Sequence, residues 1–292
     1  MLYPSAGTGW SMSDQLNETR IVATGGIREI LTDTARCLRF YSRLPMPALP
    51  WEPDPHALPD FARMTRVVPL AGLVLGVLPA LVLAGALALD LGTFLAAALS
   101  VAAMTVTTGA FHEDGFADTA DSFGGATRER RLAIMRDSLI GSFGASGLVL
   151  VFALRIGALA ELASRLGIGG ACGAVLAAAI LSRTAGLIPL VFLPPARLDG
   201  ASYAVGQPTR ETFRITAALA AGLAVVVGLA VGLPASGIAL MIVLSGLSGA
   251  ALARLAARHI GGQTGDIAGA AQQMAEIAAL IGLLTTVARS TT

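Results

Sequence analysis

The chain has 292 residues and a formal net charge of +1; apolar side chains make up 54% of it and charged side chains only 13%. Soluble domains contain about 45–50% apolar and about 25% charged residues, so this composition, with a mean hydropathy of +0.72, predicts an integral membrane protein. The small net charge provides no field that would attract nucleic acid. Cys37 and Cys172 are the only cysteines and no CxxC spacing occurs, so we expect both to act as small apolar residues rather than as a disulfide.

The N-terminal part is polar and divides into three segments. Residues 1–25 are polar and are predicted to be a flexible leader. They lack the basic start and early apolar core of a signal peptide, so the N-terminus is expected to stay in the cytoplasm. In residues 26–44 apolar side chains recur at helical spacing between arginines, which predicts an amphipathic helix in the membrane interface. Residues 45–59 are rich in proline and predict a loop. Residues 26–292 are expected to form a single membrane-embedded domain.

From residue 67 onward the sequence consists mainly of long uncharged windows. A helix needs about 20 residues to cross about 30 Å of hydrocarbon. The windows predict seven such helices, or six if the last does not span, over residues 67–89, 91–110, 143–163, 168–193, 215–233, 235–253 and 273–288. Gly72/Gly76 and Gly228/Gly232 have the spacing of close helix contacts, which is weak support in a chain with 34 glycines. The predicted fold is an all-α, polytopic helical membrane bundle.

The arginines predict the orientation of this bundle, since cytoplasmic loops carry an excess of basic residues. If the N-terminus is cytoplasmic, the cytoplasmic segments are 1–66, 111–142, 194–214 and 254–272, and sixteen of the 20 basic residues fall in them. We therefore expect a multi-pass protein of the cytoplasmic (inner) membrane with these segments in the cytoplasm.

Two arginines fall inside predicted helices, where each would cost about 2.5–3.5 kcal/mol at the bilayer centre. Arg155 and Arg183 should therefore face a cavity or a partner. Arg183 is the better functional candidate of the two, and Arg155 is expected to snorkel or to pair with Glu161.

The segment 109–125 carries most of the acidic residues of the central chain. If it is helical, Asp114, Asp118 and Asp121 lie at i, i+4 and i+7 on one face, where like charges repel. A divalent cation removes that repulsion, and carboxylate oxygens suit Mg²⁺. His112 is open to three interpretations, as a base, a metal ligand or an interfacial residue. Glu113 would point about 100° away from Asp114, so we expect it to tolerate substitution.

Basic and glycine-rich segments follow this acidic run. Arg130, Arg131 and Arg136 supply guanidinium groups that can bind phosphate oxygens, which together with metal-binding carboxylates indicates phosphoryl transfer. Gly141 and Gly144 either allow close packing of the next helix or offer backbone N–H groups to an anion. A second polar cluster covers residues 259–276, and its Asp266 is a candidate to complete the metal site.

Four ordered motifs resemble the cobalamin synthase family of membrane-bound adenosylcobinamide-GDP ribazoletransferases. They are RFYSRLPMP (39–47) with PLAGLVLG (69–76), HEDGFADTAD (112–121), RRLAIMRDSLIGSFG (130–144) and GGQTGDIAGA (261–270). The polar leader and Glu113, where the family often has an apolar residue, depart from its pattern.

The resemblance implies a reaction in which adenosylcobinamide-GDP and α-ribazole, or its 5′-phosphate, give adenosylcobalamin, or its 5′-phosphate, and GMP with Mg²⁺. It implies carboxylate metal ligands, phosphate-binding groups, and a proton acceptor that is either one of the carboxylates or His112. The metal ligands would be Asp114, Asp118, Asp121 and Asp266, and the phosphate-binding residues Arg130, Arg131, Arg136, Arg183 and Thr264. The partners implied are these substrates and the lipid bilayer, while a homo-oligomer or an association with other enzymes of the corrinoid pathway is left open.

Two other functions remain as alternatives. A CDP-alcohol phosphotransferase also uses an acidic motif at a membrane face, but its D-G-x-x-A-R signature is absent, since Asp118 and Thr119 follow Ala117 where the signature requires arginine. A transporter would place charged residues at the midplane of broken helices, whereas here the acidic residues are predicted to lie in loops.

Overall fold

The computed structural model describes residues 26–288 except 53, 56, 58, 138 and 200, so the predicted leader (1–25) lies outside the described residues. The described part is helical and has no strand, only an isolated bridge between Pro195 and Gln263. Its helices are α1 (Ile27–Tyr41), α2 (Phe61–Met64), α3 (Val68–Ala88), α4 (Thr93–Thr108), α5 (Phe111–Asp121), α6 (Arg128–Ile134), α7 (Ser142–Phe192), α8 (Ala201–Ala204), α9 (Arg210–Ala230), α10 (Ala235–His259) and α11 (Gly265–Leu284). The predicted all-α class is confirmed.

Several of these helices are long and apolar enough to cross a membrane. Among the described residues there are 5 such helices, formed by α2 with α3 and by α7, α9, α10 and α11, or 6 if α4 and α5 make one broken span. The α4–α5 pair is bent by 91°, and both residues at the bend, Gly109 and Ala110, have left-handed backbone angles. The chain is therefore a polytopic helical membrane protein.

The helix α7 is a hairpin of two arms. Its backbone breaks at Gly167, with φ 66° and ψ −170°. Arg155 and Ala178 line the same small cavity, whereas in a straight helix they would be about 35 Å apart at 1.5 Å per residue. The first arm (142–166) and the second arm (168–192) thus lie side by side, as the two separate predicted windows require.

Three of the predicted helices have wrong boundaries. The structure begins α9 at Arg210 rather than 215, extends α10 to His259, and places α11 at Gly265–Leu284 rather than 273–288. The hydroxyls of Thr209 and Thr264 accept hydrogen bonds from the backbone N–H groups of the first turns of α9 and α11. These added turns are polar, so a window of hydrophobicity misses them although their backbone is helical. The acidic run expected in the loop 111–142 is likewise mostly helical, as α5.

The amphipathic helix predicted over 26–44 is confirmed as α1. Its Cys37, Leu38 and Tyr41 are buried in an apolar cluster with α2 and α3. Burial raises the pKa of the Cys37 thiol, which keeps the thiol protonated, as expected of a small apolar residue. Glu52 of the proline-rich loop is 2.8 Å from Arg39, and hydrogen bonds from Arg39 lower the pKa of that carboxyl. The loop is thereby fastened to α1.

Contacts between the four segments predicted to be cytoplasmic place them together at one end of the bundle. The N–H of Phe61 donates to the carbonyl of Val205 (2.9 Å), and Arg136 forms an ion pair with Asp199 (2.6 Å). The bridge from Pro195 to Gln263 joins the third segment to the fourth. Loops that the arginine count assigned to one side of the membrane therefore do meet.

Close packing of α3 on the second arm of α7 gives a test of the bundle. A Cβ atom on Gly72 would lie 2.8 Å from the carbonyl oxygen of Ala179 and 3.1 Å from the Cα of Ile180. We expect Gly72→Ala to destabilise the protein by about 1–3 kcal/mol, because backbone atoms of α7 would have to shift. The measurement is the melting temperature in detergent.

Gly85 on the same helix is the matched control. No described atom lies within 4 Å of a Cβ built there, so Gly85→Ala should gain up to about 1 kcal/mol from its higher helix propensity. A Gly72→Ala protein that melts no lower than Gly85→Ala would contradict the packing of α3 on α7.

Candidate active site

The acidic helix α5 crosses the start of α11 with the two backbones in contact. A Cβ atom on Gly115 would lie 2.9 Å from the Cα of Asp266, and one on Gly269 would lie 3.2 Å from the carbonyl oxygen of His112. Side chains at either glycine would push the helices apart. The close approach brings Asp118 within electrostatic range of both Asp266 and Asp114.

Arg197 adds a cation to this group of carboxylates. Its Nη2 is 3.5 Å from Oδ2 of Asp266, and its charge also acts on Asp118. Arg197 comes from the 194–200 segment, which the bridge to Gln263 holds against the loop before α11. We call Asp114, Asp118, Asp266 and Arg197 the acidic cluster.

Unpaired buried polar atoms are concentrated beside the acidic cluster. Among the described residues, Oδ2 of Asp266, Nε and Nη1 of Arg197, and both amide atoms of Gln263 are buried without a hydrogen-bond partner. Each such group costs about 1–3 kcal/mol if nothing pairs with it. A concentration of such atoms at one place is typical of a site that binds a polar ligand.

The carboxylates of the acidic cluster suit a hard cation that is completed by the substrate. Within the described ranges, no group of three or more His, Cys, Asp or Glu side chains is arranged to hold a metal ion by itself. Mg²⁺ is usually held by one or two carboxylates, with water and substrate phosphates in its other positions. The exposed Asp114, the half-buried Asp118 and the unpaired oxygen of Asp266 fit that requirement.

Asp121 has a different position from the other predicted metal ligands. Its two carboxylate oxygens accept hydrogen bonds from the N–H groups of Gly141 (2.7 Å) and Gly144 (2.8 Å) at the start of α7. A Cβ atom on either glycine would collide with the carboxyl group. The anion expected for these two glycines is therefore Asp121 itself, and the negative charge stabilises the N-terminus of the helix.

The three predicted phosphate-binding arginines have three different environments. Arg130 is exposed on α6. Arg131 donates to two backbone carbonyls, of Gly125 (2.8 Å) and of the last residue of α10 (2.9 Å). Arg136 is an exposed partner of Asp199. Arg131 thus fastens a loop, and the structure does not bring Arg130 or Arg136 into the acidic cluster.

His112 and Arg183 are buried in the interior of the bundle. The ring of His112 stacks on Tyr41 at a centroid distance of 5.8 Å, and both residues line an apolar cavity with Arg183 and Gln272. The charges that act on His112 belong to buried Arg and Glu side chains. The predicted Thr264 is also buried, and its hydroxyl caps α11.

The partners of Arg155 differ from those expected. Arg155 lies 2.9 Å from Glu113 and 2.8 Å from Glu276, with all three side chains buried, whereas Glu161 pairs with Arg165 (2.9 Å). The expected pairing with Glu161 is wrong. Removing one partner of a buried ion pair costs about 3–5 kcal/mol, so the tolerance predicted for Glu113 is replaced by an expectation of marked destabilisation.

Sequence reasoning missed Arg197 and Gln263 as site residues. Gln263 lies in the glycine-rich run before α11, so its surroundings gave a signal. Arg197 entered the sequence analysis only as one of the basic residues that predict the orientation in the membrane. The one signal for a role in the site was its position directly after the rigid Pro194-Pro195-Ala196 segment.

Comparisons with known proteins identify the family of this chain. The family model for cobalamin-5-phosphate synthase matches residues 33–284. An adenosylcobinamide-GDP ribazoletransferase of Azorhizobium caulinodans is 50% identical over 87% of this chain and 96% of its own length. Proteins of the same name from Xanthobacter autotrophicus (87% and 96% covered) and Brucella ovis (87% and 97% covered) are 48% and 42% identical. No solved structure shows significant similarity to this chain. The chain belongs to the cobalamin-5-phosphate synthase family.

Proposed function

We propose that this chain is an adenosylcobinamide-GDP ribazoletransferase. It joins adenosylcobinamide-GDP to α-ribazole, or to α-ribazole 5′-phosphate, and releases GMP, so that adenosylcobalamin or its 5′-phosphate is formed. The observation that carries the proposal is the match to relatives of this name along 87% of the chain and 96% of their length. The residues of the acidic cluster all lie inside the matched family range.

The chemistry asks the protein to position two substrates and to balance charge on phosphates. A ribose hydroxyl of the ribazole attacks the phosphate carried by the corrinoid. A new phosphorus–oxygen bond forms between that hydroxyl oxygen and the phosphate, and the bond between the same phosphorus and the oxygen of the departing GMP breaks. Mg²⁺ held by one or two of the carboxylates of Asp114, Asp118 and Asp266 would neutralise charge on the phosphates. Arg197, whose Nε and Nη1 have no hydrogen-bond partner among the described residues, is placed to bind their oxygens.

The hydroxyl proton needs an acceptor close to the phosphate. We assign it to a carboxylate of the acidic cluster rather than to His112. His112 stacks on Tyr41 inside the bundle, while Asp114 and Asp118 are open to solvent at least in part. The roles predicted for His112, Arg183 and Thr264 remain predictions, as does an assembly with a second copy or with other corrinoid enzymes.

We further propose that the protein lies in the inner membrane with the acidic cluster facing the cytoplasm. The support is the excess of arginine in the four segments that meet at this end of the bundle. The nucleotide substrate would then be drawn from the cytoplasm.

The orientation is tested by single cysteines in a background with Cys37 and Cys172 replaced by alanine. Leu91→Cys, between α3 and α4, and Ser236→Cys, in the first turn of α10, are exposed at the far end of the bundle and should react with an impermeant thiol reagent added to intact cells. Ala126→Cys, between α5 and α6, should react only after the cells are opened. The reverse pattern would overturn the orientation.

The activity is tested by GMP release from adenosylcobinamide-GDP and α-ribazole with purified protein. We expect the wild type to release GMP only with Mg²⁺, and Asp118→Asn to lose turnover by orders of magnitude and to need more Mg²⁺. Removing one of several clustered carboxylates relieves repulsion, so the metal-free variant should melt no lower than the metal-free wild type.

Asp121→Asn is the matched control for this experiment. It removes the same charge from the same helix, but Asp121 caps α7. We expect the free energy of unfolding to fall by about 1–2 kcal/mol, seen as a lower melting temperature. The requirement for Mg²⁺ should be unchanged. A rise in the Mg²⁺ requirement as large as that of Asp118→Asn would instead place Asp121 among the metal ligands.

The arginine assignment is tested by Arg197→Ala against Arg130→Ala. Arg197 is within reach of Asp266, whereas Arg130 is exposed on α6. We expect kcat to fall about a hundredfold in Arg197→Ala, since one donor to the transferring phosphate is lost. Arg130→Ala should change kcat by less than about threefold, as expected for a residue that serves orientation. Equal losses in both variants would refute the assignment.

A further inference from the structure

One buried guanidinium connects the two helices that carry the acidic cluster. Arg155, on the first arm of α7, is 1% exposed. It is bound on one side to Glu113 of α5 (2.9 Å) and on the other to Glu276 of α11 (2.8 Å). Glu113 is the neighbour of Asp114 in α5, and α11 carries Asp266 in its first turn.

Other buried polar groups extend this connection. The hydroxyl of Thr105 on α4 donates to Glu113 (3.2 Å). The amide of Gln272 donates to Glu276 (2.9 Å) and to Ser182 on the second arm of α7 (3.1 Å). A single network thus joins α4, α5, both arms of α7 and α11.

The helix α5 depends on such external contacts for its position. It has 11 residues, and isolated helices of this length are marginal in water. At Gly115 it has no side chain and rests directly on Asp266. Backbone contact at Gly115 and Gly269 sets the distance between α5 and α11, and the ion pair at Glu113 sets the rotation of α5 about its own axis at this end of the helix.

We propose that Arg155 is a positioning residue for the acidic cluster: its two ion pairs fix α5 relative to α11 and thereby set the spacing of Asp114 and Asp118 from Asp266. The inference rests on the proposed function for its link to turnover. Stability alone does not explain the arrangement, because apolar residues of similar volume often replace a buried ion trio without loss of stability. What the planar, double-sided guanidinium adds is a defined geometry between two helices.

The test removes one buried charge of each sign, because the buried Arg183 also interacts with Glu276 and would lose its counter-charge if both glutamates were replaced. In Arg155→Met/Glu113→Gln we expect a melting temperature close to that of the wild type. Binding of Mn²⁺, followed by electron paramagnetic resonance without substrates, should weaken about tenfold or more. The kcat for GMP release should fall by a similar factor or more, because small displacements of reacting groups are costly.

The matched control is Arg165→Met/Glu161→Gln. It removes an ion pair of the same length from the same arm of α7, at a part-exposed position. Mn²⁺ binding and kcat should stay at the wild-type values. Because the Arg155→Met/Glu113→Gln variant could fail to fold, Arg155→Lys is measured as well. Lysine keeps the positive charge but lacks the two-sided guanidinium, so this variant should weaken Mn²⁺ binding in a folded protein.

The outcomes separate this inference from the proposed function. A folded Arg155→Met/Glu113→Gln or Arg155→Lys variant with wild-type Mn²⁺ binding would overturn the positioning role, whatever the wild type's turnover. A wild type that binds Mn²⁺ but releases no GMP would overturn the proposed function, and weakened Mn²⁺ binding in the variants would then still support the positioning of the acidic cluster.

Discussion

The position of Arg155 constrains the rest of the bundle, because a guanidinium buried among apolar helices has to be neutralised where it lies. Loss of one partner of such an ion pair costs about 3–5 kcal/mol, which is a large part of the stability of a typical domain. Glu276 on α11 supplies one counter-charge, and Glu113 supplies the other only because the chain bends by 91° after α4 and returns as α5. The bend that brings the acidic residues to the start of α11 therefore also satisfies the buried charge.

Structural and chemical tasks are divided among the acids of α5. Glu113, near its start, binds Arg155, and Asp121, at its end, accepts two hydrogen bonds from the first turn of α7. These two carboxylates fix the helix at both ends. Asp114 and Asp118 lie between them and face Arg197 and Asp266, where buried polar atoms still lack partners. A helix held at both ends is a suitable support for carboxylates whose mutual spacing matters.

Sequence periodicity predicted what depends on local pattern. The apolar windows, the break near Gly167, the amphipathic α1 and the common face of Asp114 and Asp118 all follow from spacing along one helix. Periodicity shows which side chains share one face of a helix, but it does not show which other element of the fold packs against that face. Asp121 shares the face of Asp114, yet its position two turns further on lies beside the start of α7 rather than beside Asp266. The partners of Arg155 are distant in sequence, so no local pattern identifies them. Hydropathy ended α10 too early and began α11 too late because the turns where these two helices meet are polar.

The arginines that contribute equally to the predicted membrane orientation differ in what their guanidinium groups contact. Arg128 and Arg131 donate to backbone carbonyls of neighbouring loops, so the basic excess that orients the chain also ties these loops together. Arg197 is different because it touches a carboxylate and keeps two nitrogens unpaired. A membrane protein that handles phosphates needs basic residues on one side for insertion and at one place for binding. Among the described residues, Arg66, Arg165 and Arg183 each have one buried nitrogen without a hydrogen-bond partner, whereas Arg197 has two and also contacts Asp266, and this combination assigns Arg197 to the second group.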